Sequence, residues 1–418
     1  MKKYLIILFI ISFGISGCDR VFDVDYPEVD PSGFLTQTHP LTDLSKKVIE
    51  GVYSVQDGNG YFGDTIVLKY SGDNLSIFTN KNACYMLIKA GSLDSVIFFE
   101  GYWRYSVNSD VGRINFYISS FEGGSQIMRG DTSNRNIIVH GSYGDGDNVP
   151  GYGFKIKFER PFSQKVNQND FYILAHRGGG RNSDFLPASE NSIELISYAE
   201  RLGANGIEID VQLTKDGIPI IYHDEDINLR LTQKSVIWGD IEDYTLAQLR
   251  TFIKLKNGEM IPTLEEALDY VVDHTNLRFV WLDLKSHFNE VNAVAEIQAR
   301  LIKKLNAKKR DLKIVMGIPT RDKANFVLAL RDYSTTPTLC ELGTDIVREV
   351  NSQFWAPRWT QGVQTDLVNQ MHSENRKAFV WTLDDPGFIE NFFSNGNFDG
   401  MLTNYPMLVA YHHYTRKQ

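Results

Sequence analysis

Cysteine is scarce, with 3 in 418 residues. One, Cys18, closes the N-terminal apolar run. The other two, Cys84 and Cys340, lie far apart in stretches of different texture, so a structural disulfide is not expected. An excess of positive charge is also missing. Lys and Arg number 43 against 52 Asp and Glu, for a net charge of -9, and no long block carries one sign. That balance argues against a general nucleic-acid binder. There is no low-complexity tract and no internal repeat at a fixed period. What remains is a globular composition, 42% hydrophobic, long enough for two domains or one large barrel.

The N-terminus reads as a targeting segment. Lys2 and Lys3 precede "YLIILFIISFGI", which then meets "SGC". A basic head, a short apolar core and small residues before a cut make a secretory signal peptide, and the apolar run is too short for a comfortable transmembrane helix. The stretch ending in Ile15-Ser16-Gly17-Cys18 resembles the bacterial lipobox. That resemblance implies a signal peptide over 1–17, cleavage before Cys18, lipid on its thiol and a lipid-anchored place in the cell envelope. An ordinary signal peptide with a chance cysteine is the alternative. Residues 18–43, acidic and proline-containing at their start, read as a tether.

Residues 44–165 have a β texture. "DTIVLKYSG", "SVIFFEGYWRYSV", "GRINFYIS", "NIIVHGSYG" and "GFKIKFERP" are short, aromatic and β-branched, and Gly, Asn, Asp and Ser punctuate them. An all-β barrel or sandwich is expected, with a lipocalin-like barrel as one form. Trp103, Tyr102 and Phe98 read as core packing; the alternative is a platform for an unknown ligand of this domain.

The texture changes at "FYILAHRGGG". From residue 170 to 418 apolar strands alternate with helical stretches, beginning with a helix over "ENSIELISYAERLG" that ends at Gly203. Such alternation means parallel strands with crossover helices. "IPIIYHD" follows "DVQLT" after only Lys215-Asp216-Gly217. A link that short makes a hairpin, so this arm returns antiparallel and is not a barrel strand. The remaining count is eight strands, ending near Arg177, Val211, Lys285, Ile318, Glu341, Trp359, Asp384 and Asn404. That defines an α/β TIM barrel, with an open doubly wound sheet as the alternative.

A TIM barrel gathers chemistry at strand C-termini. Strand one ends in His176-Arg177, strand two carries Glu208 and Asp210, the hairpin arm ends in His223-Asp224, strand three ends in Asp283-Leu284-Lys285, and strand seven ends in Trp381. Glu208 and Asp210 are two apart and face one side, where Asp283 could join them. Three hard oxygen ligands suit Mg²⁺ or Ca²⁺. His176 and His223 can serve as general acid and base. Arg177 and Lys285 suit a phosphodiester, and Trp381 lies on the substrate side of the rim. This set describes in-line attack on a phosphodiester better than sugar chemistry, which needs an acid pair and no obligatory cations.

The series "AHRGGG…PASENS…GIEIDVQLTKDGIPIIYHDEDINLRLT…IPTLEEAL…WLDLK…FVWTLDD…FDGMLTNYP" resembles the glycerophosphodiester phosphodiesterase family over residues 172–408. The resemblance implies metal-dependent hydrolysis of a glycerophosphodiester to glycerol phosphate and an alcohol. His176 and His223 resemble the acid/base pair, Glu208 and Asp210 two metal ligands, and Arg177 and Lys285 the phosphate-binding cations. Glu190 and Asn191 match a supporting acid-amide pair. Three departures stand out. Asp283 sits where the family usually has Glu, Asn404 where it usually has Asp, and Gly179 and Gly180 extend the first loop. Two other readings share these residues: another phosphodiesterase or lyase of this barrel type acting on phospholipid headgroups, and a non-catalytic lipid-anchored binder of phosphodiesters.

Overall fold

The computed structural model describes residues 24, 26–27, 34–168 and 170–417. The expected signal peptide, Cys18 and half of the expected tether lie outside the described residues. Among the described residues no helix is long and apolar enough to cross a membrane.

The first domain is a closed antiparallel barrel, so the sandwich alternative is set aside. Its strands are β1 (Gly51–Asp57), β2 (Thr65–Ser71), β3 (Asn74–Thr79), β4 (Cys84–Leu93), β5 (Val96–Tyr105), β6 (Val111–Ile118), β7 (Ile138–Tyr143) and β8 (Tyr152–Arg160), each paired with the next and β1 with β8. The sequence patterns anticipate five of these. β3 and β4 escape the alternation rule because both of their faces are covered. The inner face packs the barrel core, and the outer face packs the second domain. Inside lie Phe62, Phe99, Trp103, Phe116 and Phe154, so the barrel holds a packed aromatic core. Trp103 points inward, while Tyr102 points out and meets the edge of the Tyr26 ring at 5.4 Å.

The second domain is the expected TIM barrel. Its parallel strands are β9 (Tyr172–Ala175), β10 (Gly206–Leu213), β14 (Phe279–Leu284), β15 (Lys313–Ile318), β16 (Thr338–Cys340), β17 (Phe354–Trp355), β18 (Lys377–Val380) and β19 (Gly400–Thr403). β9 pairs with both β19 and β10, which closes the ring. β11 (Pro219–Ile221) runs antiparallel to β10, as the short Asp-Gly link requires. Beyond it β12 (Asp226–Ile227) and β13 (Gly239–Asp240) form a small ribbon over the rim. Tyr172, Phe279, Trp281, Phe354 and Phe379 fill the barrel axis. Cys84 and Cys340 are free and buried.

One helix departs from expectation. The stretch after Ser192 makes a single α-turn, Ile193–Ile196. Its bonds then tighten to the third residue back, as in Tyr198 to Leu195 and Ala199 to Ile196. The tightening delivers Gly203 to the domain interface at φ +99°, where a Cβ would stand 2.7 Å from Ala410 Cβ and 3.1 Å from the Phe78 ring. Only glycine accepts that backbone at that distance.

The two domains share packing. Val52, Val67, Phe78, Tyr85 and Leu87 from the β-barrel belong to the same apolar cluster as Leu202, Leu408 and Val409. Ser76 Oγ donates to Arg201 O at 2.7 Å. Arg104, fully buried on β5, donates to Phe185 O at 2.7 Å and Asp184 O at 3.0 Å, so the β-barrel braces the loop after β9.

The C-terminal helix Pro406–Thr415 carries a pH sensitivity. His413 is buried and stacks on Phe171 at 5.3 Å. Burial, with Arg416 and Lys165 adding to it, lowers its pKa to about 3. A histidine held neutral stabilises the fold fully above its unfolded value of about 6.5, and that contribution is lost as pH falls toward 3. Between pH 6.5 and 4.5 the expected loss is about 2–3 kcal/mol. His413→Phe should remove that part of the acid sensitivity in denaturant titrations at the two pH values.

Candidate active site

The site follows from strand alternation. Inward residues along the barrel run Tyr172, Leu174 and His176; Glu208 and Asp210; Phe279, Trp281, Asp283 and Lys285; Phe379 and Trp381; Leu402 and Asn404. Apolar rings fill the lower layers, and the last residue of each series reaches the rim. Asp210 on β10 is in direct register with Asp283 on β14.

Glu208, Asp210 and Asp283 each place a carboxylate oxygen within 4.8 Å of the others. The shorter Asp283 therefore still reaches the group. One oxygen of each, Glu208 Oε1, Asp210 Oδ1 and Asp283 Oδ1, is buried without a hydrogen-bond partner. Buried carboxylate oxygens are costly to leave unpaired, and three that converge fit a divalent cation taking oxygen ligands. The electrostatics agree. Burial, then Asp210 and Asp283, push the Glu208 carboxyl well above its ordinary range. Burial opposes ionisation of Asp210 too, but Lys285, His223 and Arg177 outweigh it and bring its pKa to about 2. Lys285 Nζ lies 2.5 Å from Asp283 and 3.5 Å from Asp210. Burial works against its charge, yet these acids hold its pKa above the usual lysine value.

The imidazoles have unlike backings. His176 Nδ1 meets Asn404 Oδ1 at 2.7 Å, and Asn404 Nδ2 donates to Asp384 at 2.6 Å. A carboxylate can only accept here, so the Asn404 amide nitrogen faces Asp384 and its oxygen faces His176. His176 therefore donates through Nδ1 and turns Nε2 toward Glu208, 3.7 Å away. Burial, and next Arg177, lower its pKa to about 3. His223 Nδ1 lies 2.6 Å from the Asp224 carboxylate, and its Nε2 accepts from an Arg177 Nη at 2.8 Å.

Arg177 is held at both ends. Its backbone, at φ +54°, lets its N–H donate to Glu208 at 2.8 Å, and its guanidinium donates to Glu190 at 2.7 Å. Glu190 also pairs with Arg230 at 2.9 Å. Asn191 donates to Asp210 at 2.7 Å and accepts from the Asp210 backbone N–H at 3.1 Å. Glu190 thus touches Arg177, and Asn191 touches Asp210. The two added glycines serve loop packing. A Cβ on Gly179 would stand 2.6 Å from Leu195 Cγ, and one on Gly180 2.6 Å from Leu186 Cδ1. Trp381 donates to Ala356 O at 2.8 Å, and the Arg358 guanidinium lies 4.5 Å from its ring centre. Trp355 is buried in the packing between barrel and helices, and the Trp359 ring lies tilted against Phe388, with ring centres 4.7 Å apart.

Sequence reasoning gave no role to Glu341. It lies two residues beyond Leu339, an axis residue of β16, so alternation turns it inward. Its Oε1 is buried without a partner, and its acid neighbours Asp283 and Asp210 follow burial among the causes that push its pKa well above the ordinary range. Arg230, which holds both Glu190 and Asp224, was also missed. Glu341→Gln keeps the shape and removes a fourth carboxylate from the mouth. A loss of about tenfold in divalent-cation affinity is expected, read by calorimetric titration.

A closed parallel barrel whose acids, imidazoles and cations meet at the strand C-termini marks the molecule as a TIM-barrel enzyme. The model of the glycerophosphoryl diester phosphodiesterase family matches residues 176–408, more than half of the chain. The chain belongs to that family. A glycerophosphodiester phosphodiesterase of Caldanaerobacter subterraneus subsp. tengcongensis is 28% identical over 244 residues, covering 56% of this chain and 94% of the relative. Glycerophosphodiester phosphodiesterase 1 of Mus musculus is 35% identical over 128 residues, covering 29% of this chain and 35% of its own length. The crystal structure of a glycerophosphodiester phosphodiesterase from Parabacteroides distasonis superposes with a TM-score of 0.48 at 25% identity, over 59% of this chain and 98% of its own.

Proposed function

We propose that this chain hydrolyses glycerophosphodiesters to glycerol phosphate and an alcohol, from a lipid-anchored position in the cell envelope. The observation that carries the reading is one barrel mouth holding two imidazoles, two cations and three convergent unpartnered carboxylate oxygens. Glu208, Asp210 and Asp283 would hold one divalent cation, Mg²⁺ or Ca²⁺. When bound it supplies Lewis-acid stabilisation of charge that builds on the phosphoryl oxygens.

The chain's own groups do the rest. Arg177 and Lys285 bind the diester anion, and Trp381 bounds the substrate side. The anion draws the Arg177 guanidinium onto itself and frees His223 Nε2. The Asp224 carboxylate behind His223 stabilises an imidazolium, so His223 accepts the proton of the attacking hydroxyl as its oxygen bonds to phosphorus. The attacker is water or the substrate's own neighbouring hydroxyl, which gives a cyclic phosphate first. Diester charge also offsets the field of Arg177 on His176. Nε2 of His176 then takes a proton from solvent, against the cost of its burial, and passes it to the departing oxygen as the bond to phosphorus breaks, while His223 returns its own proton to solvent. Asn404, held by Asp384, keeps the ring aimed.

For the whole chain we propose a signal peptide over 1–17, a lipidated Cys18 and tether over 18–43, a β domain over 44–165 and the catalytic barrel over 170–418. The test is turnover of glycerophosphocholine, glycerophosphoethanolamine and glycerophosphoinositol with Mg²⁺, with Ca²⁺ and with chelator. Cation-dependent release of glycerol phosphate from at least one is expected. Tight binding without turnover of any would overturn catalysis in favour of a binder, and cleavage of intact phospholipid alone would move the substrate to membrane lipid.

A further inference from the structure

The rim above the site carries a cluster that catalysis does not use. Leu229, Val236 and Trp238 are 62%, 73% and 78% exposed, an unusual concentration of apolar surface on one loop. All three flank one small ribbon. In the β12–β13 pair Ile227 is opposite Gly239, so Leu229 follows the first strand by two residues, and Trp238 directly precedes the second. Ser235 Oγ donates to Phe252 O at 2.8 Å and brings the half-exposed Phe252 to the same edge. Lysines border it: Lys256 donates to Leu229 O at 2.9 Å, and Lys234 and Lys254 are exposed close by. An exposed Trp with aliphatic neighbours and flanking lysines is the composition that settles at a lipid headgroup layer.

The path of the chain gives this edge its partner. Val24 and Tyr26 line a surface cleft together with Leu229, Arg230 and Lys256. Tyr26 is fixed there, donating to Phe185 O at 2.7 Å and accepting from Arg104 at 2.9 Å. Val24 and Tyr26, the described residues nearest to Cys18 in sequence, therefore lie beside the exposed ribbon. Only six residue steps separate Cys18 from Val24, a reach of about 20 Å when fully extended. The same cleft borders the catalytic rim through Arg230, which pairs with Asp224 and Glu190.

We infer that the ribbon edge formed by Leu229, Val236 and Trp238 docks on the surface of a lipid bilayer, so that the mouth of the barrel opens toward the membrane. The inference rests on the lipid anchor proposed at Cys18. A tether of about 20 Å cannot carry the bilayer round to the far end of a barrel whose anchor point is at the mouth. The anchor thus sets which face meets lipid, and the apolar edge supplies the contact.

Fluorescence of the full lipid-anchored chain reconstituted in phosphatidylethanolamine/phosphatidylglycerol vesicles tests this. Because Cys84 and Cys340 are buried, a polarity-sensitive dye can be placed selectively at Val236→Cys or at Lys308→Cys. Lys308 ends the helix that returns from β14, at the opposite end of the barrel. Vesicle binding should shift the emission of the dye at 236 to the blue and expose it to quenching by headgroup-labelled lipid, while the dye at 308 stays solvent-like. Vesicle-bound chain with equal quenching at both sites, or at 308 alone, overturns the docking and leaves the anchor standing. A chain that does not float with vesicles overturns the anchor, and the docking falls with it.

Discussion

His176→Ala is expected to lower diester turnover by about 10²–10⁴-fold while leaving the protein folded. The ring is near the surface of the mouth, 19% exposed, and its one hydrogen bond runs to Asn404, which keeps Asp384 as its own anchor. The barrel below is closed by the strands and by the aromatic axis, neither of which needs the imidazole. The stability cost should therefore be about 1 kcal/mol, the worth of one hydrogen bond. Turnover on saturating substrate, with thermal unfolding of the same preparation, separates the two effects. Unimpaired turnover would remove His176 from the mechanism.

Glu208→Gln should have the second largest effect, and it acts with opposite signs on function and stability. Burial, and after it the neighbouring acids Asp210 and Asp283, raise the pKa of this carboxyl, so the cation-free fold holds it against its preference. Glutamine removes that conflict, and the variant without cation should be more stable than the parent. The parent should gain about 2.7 kcal/mol at a cation concentration of 100 times Kd, through binding to the native state alone. The variant should gain little and lose at least 10²-fold in turnover. Denaturant titrations with and without Mg²⁺ or Ca²⁺ check the stability half, and a parent protein indifferent to both cations would rule out the three-acid site.

Much of this site was legible in the sequence because strand geometry has period two. Glu208 and Asp210 had to share a face, and eight apolar runs had to end at one rim once the Asp-Gly link had turned "IPIIYHD" into an antiparallel arm. Glu341 obeys the same rule but stands alone on its face, with apolar Leu339 two residues before it and no second acid or base to mark that end as part of the mouth. Asp384 was legible only as a rim acid. Its role behind Asn404 depends on β18 and β19 lying side by side, a distance of 20 residues in sequence. The β-barrel was read as a class, and three of its strands went unread. β3 and β4 carry no alternation where a second domain covers their outer face, and β1 follows the helix Asp43–Ile49 directly.

The shared apolar cluster between the two barrels has a consequence for how the chain comes apart. Leu408 and Val409 pack in the same cluster as Val52, Val67 and Phe78, and Arg104 ends on the carbonyls of the loop after β9. Neither barrel can open without exposing the other's packing. The molecule should melt as one cooperative unit in calorimetry, and a truncation that begins at residue 170 would yield an exposed apolar wall in place of a minimal enzyme.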